Sequence, residues 1–240
     1  MLSVENLRGG WGPTTVIEDL SLKLEHGETV SIVGRNGMGK STLLELLVGR
    51  ADRQAGVIRL GELDITARST HARARAGLAF VPQQREVFRS LTVAEHLAIA
   101  QRPGAWTGER ICAMFPPLAN RRQSLAGVLS GGEQQMLAIG RALVTNAAVL
   151  LMDEPTEGLA PVVIDQLVDG IRNVTADRSL TVLLVEQRVD IALELSTRCM
   201  VMERGRLVSD TPTSTLRKTP GALAAMIGFE EKRRGTPAGR

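Results

Sequence analysis

Gly34-Arg35-Asn36-Gly37-Met38-Gly39-Lys40-Ser41 is the stretch that decides the fold. It fits the pattern G-x-x-x-x-G-K-[ST], in which glycines let backbone N–H groups curl around a phosphate with no side chain in the way. The flanks have the order such a loop needs. Thr29-Val30-Ser31-Ile32-Val33 is a short apolar run that stops at Gly34, as a buried strand does. A helix is expected from about Gly39 to Gly49, carrying Leu43, Leu44, Leu46 and Leu47 inward. Its positive N-terminal end adds to the loop's N–H groups as an anion site. Gly34, Asn36, Gly37, Gly39, Lys40, Ser41 and Thr42 are therefore the candidate nucleotide-binding residues. Lys40 is expected to reach the β- and γ-phosphates of ATP, and Ser41 to offer an oxygen to Mg²⁺.

Working outward, Val149-Leu150-Leu151-Met152-Asp153-Glu154 is an apolar strand that ends in two acids. Asp153, at the strand's C-terminal end, is placed to hold Mg²⁺, and Glu154 to orient an attacking water as general base. Thr181-Val182-Leu183-Leu184-Val185 is a further apolar strand. Continuous apolar strands separated by helices imply a parallel sheet covered on both faces. Before the loop, Leu20, Leu22 and Leu24 alternate with Ser21, Lys23 and Glu25, the period of a half-buried strand. Val57–Leu60 and Gly77–Val81 read as strands, and Met200–Val208 as a hairpin turning at Arg204-Gly205. From about 85 to 130 the pattern turns helical, with Thr92 as N-cap and Glu95 closing a capping box. The expected fold class is α/β. It has a P-loop NTPase (RecA-like) core, an N-terminal antiparallel β-layer and an inserted helical subdomain, all in one domain.

Leu129-Ser130-Gly131-Gly132-Glu133-Gln134-Gln135 discriminates among such ATPases. Ser130 and Glu133 have the spacing of a common helix capping box. Two glycines in a first turn are poor helix formers, but they suit backbone that must approach an anion closely. With one phosphate loop already in the chain, this second anion site suits another subunit's nucleotide.

In this order, the phosphate loop, the Leu-Ser-Gly-Gly-Glu run and the strand ending in Asp-Glu resemble the ABC transporter ATPase cassette, over roughly Leu2 to Gly228. The resemblance implies a head-to-tail pair of ATPase subunits, a homodimer or a heterodimer, with ATP between the loop of one and Ser130, Gly131, Gly132 and Glu133 of the other. It implies that Trp11 stacks on adenine and that Gln83, after Pro82, touches Mg²⁺ and the attacking water. It further implies transmembrane permease subunits as partners, a solute-binding protein acting indirectly, and a place on the cytoplasmic face of the membrane. Arg85–Leu97 is the stretch expected to grip the permease.

Three departures stand out. Glu133 replaces a more usual Gln, and Thr156-Glu157-Gly158-Leu159-Ala160 lacks the aspartate usual in the dimer-contact loop. Gln187 stands where the family usually has a histidine sensing the γ-phosphate. A carboxamide can donate a hydrogen bond there but cannot carry a proton. Gly132–Leu143, Asp153–Pro161 and Leu184–Gln187 resemble the smaller ATPase of high-affinity branched-chain amino-acid importers. Urea and short-chain amide importers share that pattern, and a soluble cassette outside transport is a further alternative.

Composition sets the outer limits. The chain has 240 residues, 43% hydrophobic and 23% charged, with 2% aromatics and no Tyr, so its core is expected to be aliphatic. A formal charge of +3 is too balanced to favour nucleic acid as a partner. Cys112 and Cys199 offer no disulfide framework or metal spacing. No run approaches the roughly 20 apolar residues of a membrane span, and no signal peptide is expected at Met1–Glu5. Residues 229–240, basic and Pro/Gly-bearing, are expected to form a flexible tail.

Overall fold

The computed structural model describes residues 1–176 and 178–218. The expected tail therefore lies outside the described residues. The chain opens with β1 (Leu2–Trp11) and β2 (Thr14–Leu24), paired antiparallel. Leu20, Leu22 and Leu24 of β2 are buried while Ser21 and Lys23 are exposed, as the alternation predicts. β3 (Thr29–Val33) leads through the glycine loop into α1 (Lys40–Val48). β4 (Asp52–Leu60) and β5 (Leu63–Asp64) complete a four-stranded sheet of order β2-β1-β4-β5. β4 starts five residues before the expected strand. Asp52–Ala55 are all exposed, so pairing with β1 rather than burial holds them in line.

α2 (Thr70–Arg75) and β6 (Leu78–Val81) follow, then three short helices: α3 (Val93–Ala100), α4 (Gly108–Met114) and α5 (Pro116–Asn120). These helices and a 3-10 turn at Ala126–Val128 occupy the segment in which the helical insert was expected. Thr92 caps α3, and both hydrogen bonds of its capping box with Glu95 are made. α6 (Gly131–Leu143), β7 (Val149–Asp153), α7 (Pro161–Ala176), β8 (Thr181–Glu186) and α8 (Val189–Leu195) return the chain to the core. β9 (Arg198–Glu203), β10 (Arg206–Pro212) and α9 (Thr213–Leu216) close it. The hairpin turns at Arg204-Gly205, and its strands outrun the expected Met200–Val208 at both ends.

The larger sheet has the order β10-β9-β3-β8-β7-β6, parallel except for β10. Its two faces build two cores. Leu150, Met152, Val182 and Leu184 pack with α6 and α7, whereas Val149, Leu151, Leu183 and Val185 pack with α1 and the N-terminal sheet. Burial on both faces is why these strands read as unbroken apolar runs. Because β3, β6, β7 and β8 run parallel, their C-terminal ends share one edge of the sheet. There the glycine loop, Gln83, Asp153-Glu154 and Glu186-Gln187 emerge, at the crevice where open α/β sheets place ligands.

Candidate functional site

The loop leaves β3 by close backbone approach. A Cβ on Gly34 would lie 2.4 Å from the Met202 carbonyl oxygen of β9, so only glycine passes. Gly39, the N-cap of α1, has φ 102°, a conformation that side-chain-bearing residues rarely adopt. Lys40 then enters α1 only 4% exposed. Its Nζ donates to the carbonyl oxygens of Gly34 at 2.8 Å and Arg35 at 3.2 Å, and lies 3.4 Å from Glu154 Oε1.

Glu154 is buried and has φ 45°, an uncommon state for a residue with a side chain. Its N–H donates to the Val185 carbonyl at 2.9 Å, so the chain stays tied to β8 beyond the last residue of β7. The Gln187 carboxamide donates to the Glu154 carboxylate. Asp153, also buried, accepts from Ser41 Oγ at 3.1 Å. Burial pushes its carboxyl up to about 6, against the downward pull of the Ser41 hydroxyl. The Gln83 carboxamide, emerging after β6, donates to the Glu157 carboxylate.

Most of these groups line one cleft of about 320 Å³; Asp153 and Gly34 stand behind its lining. Asn36, Gly37, Gly39, Lys40, Ser41 and Thr42 line one part of it, and Gln83, Glu154 and Gln187 another. Trp11, at the end of β1, is 48% exposed, and its indole N–H donates to Thr42 Oγ1 at 3.4 Å. It thus stands beside the start of α1 as a free aromatic face.

Ser130, Gly131, Gly132 and Glu133 do not join this cleft. Ser130 is the exposed N-cap of α6; its Oγ accepts from the Glu133 N–H at 3.3 Å, and the Glu133 carboxylate accepts from the Ser130 N–H at 2.7 Å. A Cβ on Gly132 would come 2.1 Å from Val163 Cγ1, so this glycine lets α6 and the start of α7 approach. The bland reading of Ser130 and Glu133 as a capping box is therefore realised, and a nucleotide held by these residues would not be the one held by Lys40 of the same chain.

Two participants were missed by the sequence reading. Glu157 lines the cleft and receives Gln83; its only signal was the departure of Thr156–Ala160 from the family pattern. Glu186 is buried, and its Oε1 accepts from Thr156 Oγ1 at 2.8 Å and from the Thr156 N–H at 3.3 Å. Burial pushes this carboxyl up to about 7, with the Thr156 hydrogen bonds opposing. A strand ending in Val-Glu does not announce that contact, because its partner lies 30 residues away.

Comparison with known proteins adds the family. The ABC transporter model matches residues 17–157. The high-affinity branched-chain amino acid transport ATP-binding protein BraG of Pseudomonas aeruginosa is 38% identical over 236 residues, covering 95% of this chain and 100% of its own. The probable branched-chain amino acid transport ATP-binding protein LivF of Archaeoglobus fulgidus is 39% identical over 216 residues, covering 86% and 90%. The lipopolysaccharide export ATP-binding protein LptB of Escherichia coli is 34% identical over 227 residues, covering 90% and 92%. A nucleotide-free ATP-binding cassette from an ABC transporter superposes with TM-score 0.80 at 25% identity, over 96% of this chain and 99% of that one. Given its glycine loop, the paired acids at the end of β7 and these likenesses, the chain belongs to the ABC transporter family as an ATP-binding cassette.

Proposed function

We propose that this chain is the ATP-hydrolysing subunit that drives an importer of branched-chain amino acids. The observation that carries the hydrolytic reading is the convergence on one cleft of a buried ammonium, a buried carboxylate with its oxygen 3.4 Å away, and a carboxamide bonded to that carboxylate. Lys40 binds the β- and γ-phosphates and neutralises charge as it develops. Glu154 orients and deprotonates the attacking water, and Gln187 holds the Glu154 carboxylate in place. Gln83, already in the cleft and bonded to Glu157, turns its carboxamide to the attacking water and Mg²⁺. Trp11 offers its face to adenine.

The donors present suit Mg²⁺. A hydroxyl and one carboxylate, Ser41 with Asp153, are hard oxygens already in contact, and Gln83 adds a carbonyl oxygen. Among the described residues no three His, Cys, Asp or Glu side chains gather as a self-sufficient metal site. That agrees with a small cation that takes most of its ligands from phosphate and water. When bound, Mg²⁺ would supply positive charge to the phosphate oxygens. The buried Asp153 would then keep its ionised form at neutral pH.

The second anion site belongs to a second ATPase subunit, which receives Ser130–Glu133 of this chain against its own nucleotide. The segment of about 85–130 serves as the helical subdomain, and Arg85–Leu97 as the grip on a transmembrane permease subunit. No helix among the described residues is long and apolar enough to cross a membrane. Held by the proposed permease partner, the chain would sit on the cytoplasmic face of the membrane, with a solute-binding protein supplying the substrate on the other side. Cells lacking this chain should lose leucine uptake, and wild-type protein, but not Lys40→Ala, should restore it. Restoration of urea uptake alone would reassign the solute, and no uptake defect of either kind would remove the importer reading.

A further inference from the structure

The turn that follows Gln83 is held by side chains from two helices and from the segment after α1. Arg85 and Glu86 have φ 61° and 46°, left-handed values that persist only where the surroundings enforce them. Arg50, beyond the end of α1, makes two hydrogen bonds to the Glu86 carboxylate at 2.9 and 3.0 Å. Arg141 of α6 donates to the carbonyl oxygens of Glu86 at 2.8 Å and Arg85 at 3.5 Å, and its guanidinium lies 5.6 Å from the Phe88 ring. His96 of α3 receives the Phe88 N–H on Nε2 at 2.8 Å. The His96 side chain is buried, and its bond to the exposed Phe88 is partly buried.

The partners of His96 fix its tautomer. Nδ1 lies 3.0 Å from the Thr92 carbonyl oxygen, which can only accept, so Nδ1 carries the proton. Nε2 accepts from Phe88 and is therefore bare. A doubly protonated ring has no acceptor left, and the Phe88 N–H would face a second donor. Burial disfavours the charged ring, while the Thr92 carbonyl favours it. Among charged neighbours, Arg141 of α6 opposes the cation and Glu95 of the same helix supports it. The turn itself brings Arg85 and Glu86, the latter engaged by Arg50.

We propose that His96 is a positioning residue for the hydrolytic reaction: its neutral ring pins the turn behind Gln83 to α3. Arg141 grips the same turn from α6, the helix that starts after Ser130. The turn is thereby tied to the helix that carries Ser130 at its start. The inference rests on the assignment of Gln83 to the nucleotide cleft.

Two substitutions divide the ring. His96→Asn keeps a polar atom at the δ position and loses the ε acceptor. His96→Gln places a carboxamide oxygen near the position of Nε2 and does not titrate near neutrality. In the purified full-length chain, Phe88 amide hydrogen exchange should rise about tenfold or more in the Asn variant, because the donor loses its acceptor. The Gln variant should exchange as wild type does. Burial holds the His96 ring below the ordinary histidine range, so, corrected for intrinsic chemistry, wild-type exchange at Phe88 should increase only as pH falls below that range, and the Gln variant should not follow. Asp153 and Glu186 titrate in both proteins, so the difference between the two isolates His96.

Steady-state ATP hydrolysis, measured with the ATPase and permease partners assembled, should follow the same order. The Asn variant should lose turnover while KM for ATP stays within about twofold, as expected when positioning rather than binding is lost, and the Gln variant should retain turnover. Unaltered Phe88 exchange in the Asn variant, or an acid response in the Gln variant equal to wild type, would overturn the proposal. Should the Asn variant fail to fold, the comparison of Gln with wild type decides alone. Exchange that behaves as stated while hydrolysis is unmoved would uphold the contact and overturn its part in the reaction. Absence of hydrolysis in the wild type would count against the ATPase reading and leave the exchange test standing.

Discussion

Gln187, which the resemblance to the family sets where a histidine is usual, has its carboxamide bonded to the Glu154 carboxylate. A neutral amide can orient that carboxylate without exchanging a proton with it. Gln187→Ala is therefore expected to lower steady-state phosphate release by roughly 10- to 100-fold, the cost of a misplaced catalytic group. Equilibrium binding of ATP should stay nearly intact. Unchanged release would leave Gln187 without a role. Glu186, the next residue back, gives a different kind of test. Its carboxyl is raised from 4.5 to about 7, so between those values the folded protein holds more protons than the unfolded chain. Stability without nucleotide must then fall as pH rises through that window. Glu186→Gln keeps an oxygen for Thr156 and removes the charge. It should be more stable than wild type by up to about 3 kcal/mol at pH 8, from roughly two pKa units and more of burial cost, and equal to it near pH 4.5. A gap between the two melting curves that does not change with pH would contradict the assignment.

The first turn of α6 separates a structural role from a functional one. Ser130 caps the helix, and aspartate caps as well as serine does, so Ser130→Asp should leave thermal stability within about 0.5 kcal/mol. Ser130→Ala should cost about 1 kcal/mol. If Ser130 also faces a partner's phosphate, the aspartate variant, sound as a cap, should lose hydrolysis through charge repulsion. Full hydrolysis by Ser130→Asp would reduce Ser130 to a cap. Elements such as β3, β7 and β8 were legible because burial on both faces leaves an unbroken apolar run. β1 was far less so. Its register shifts between Val4 and Leu7 and between Leu7 and Gly9, and Asn6 has φ 49°, which breaks the alternation that marks a strand. The exposed half of β4 carries no apolar signal at all. In the site, the loop and the acids at the end of β7 were readable from spacing, since each is local. The bonds Gln83 to Glu157 and Thr156 to Glu186 join residues 74 and 30 apart, and only the folded sheet brings them together.

At the scale of the molecule, the parallel sheet does two things. It splits the core into two aliphatic layers, one under the N-terminal sheet and one under α6 and α7. It also gathers the ends of β3, β6, β7 and β8 at one edge, where Lys40, Gln83, Glu154 and Gln187 line a single cleft. Ser130 stands apart from that cleft, as the proposed pairing with a second ATPase subunit requires. The chemistry of the account nevertheless centres on one carboxylate. The direct test is steady-state phosphate release by Glu154→Gln, assembled with its ATPase and permease partners, alongside its equilibrium binding of ATP. Binding should persist while turnover falls roughly 10²- to 10⁴-fold, the usual contribution of a general base. Turnover near the wild-type rate by a variant that still binds ATP would contradict the account.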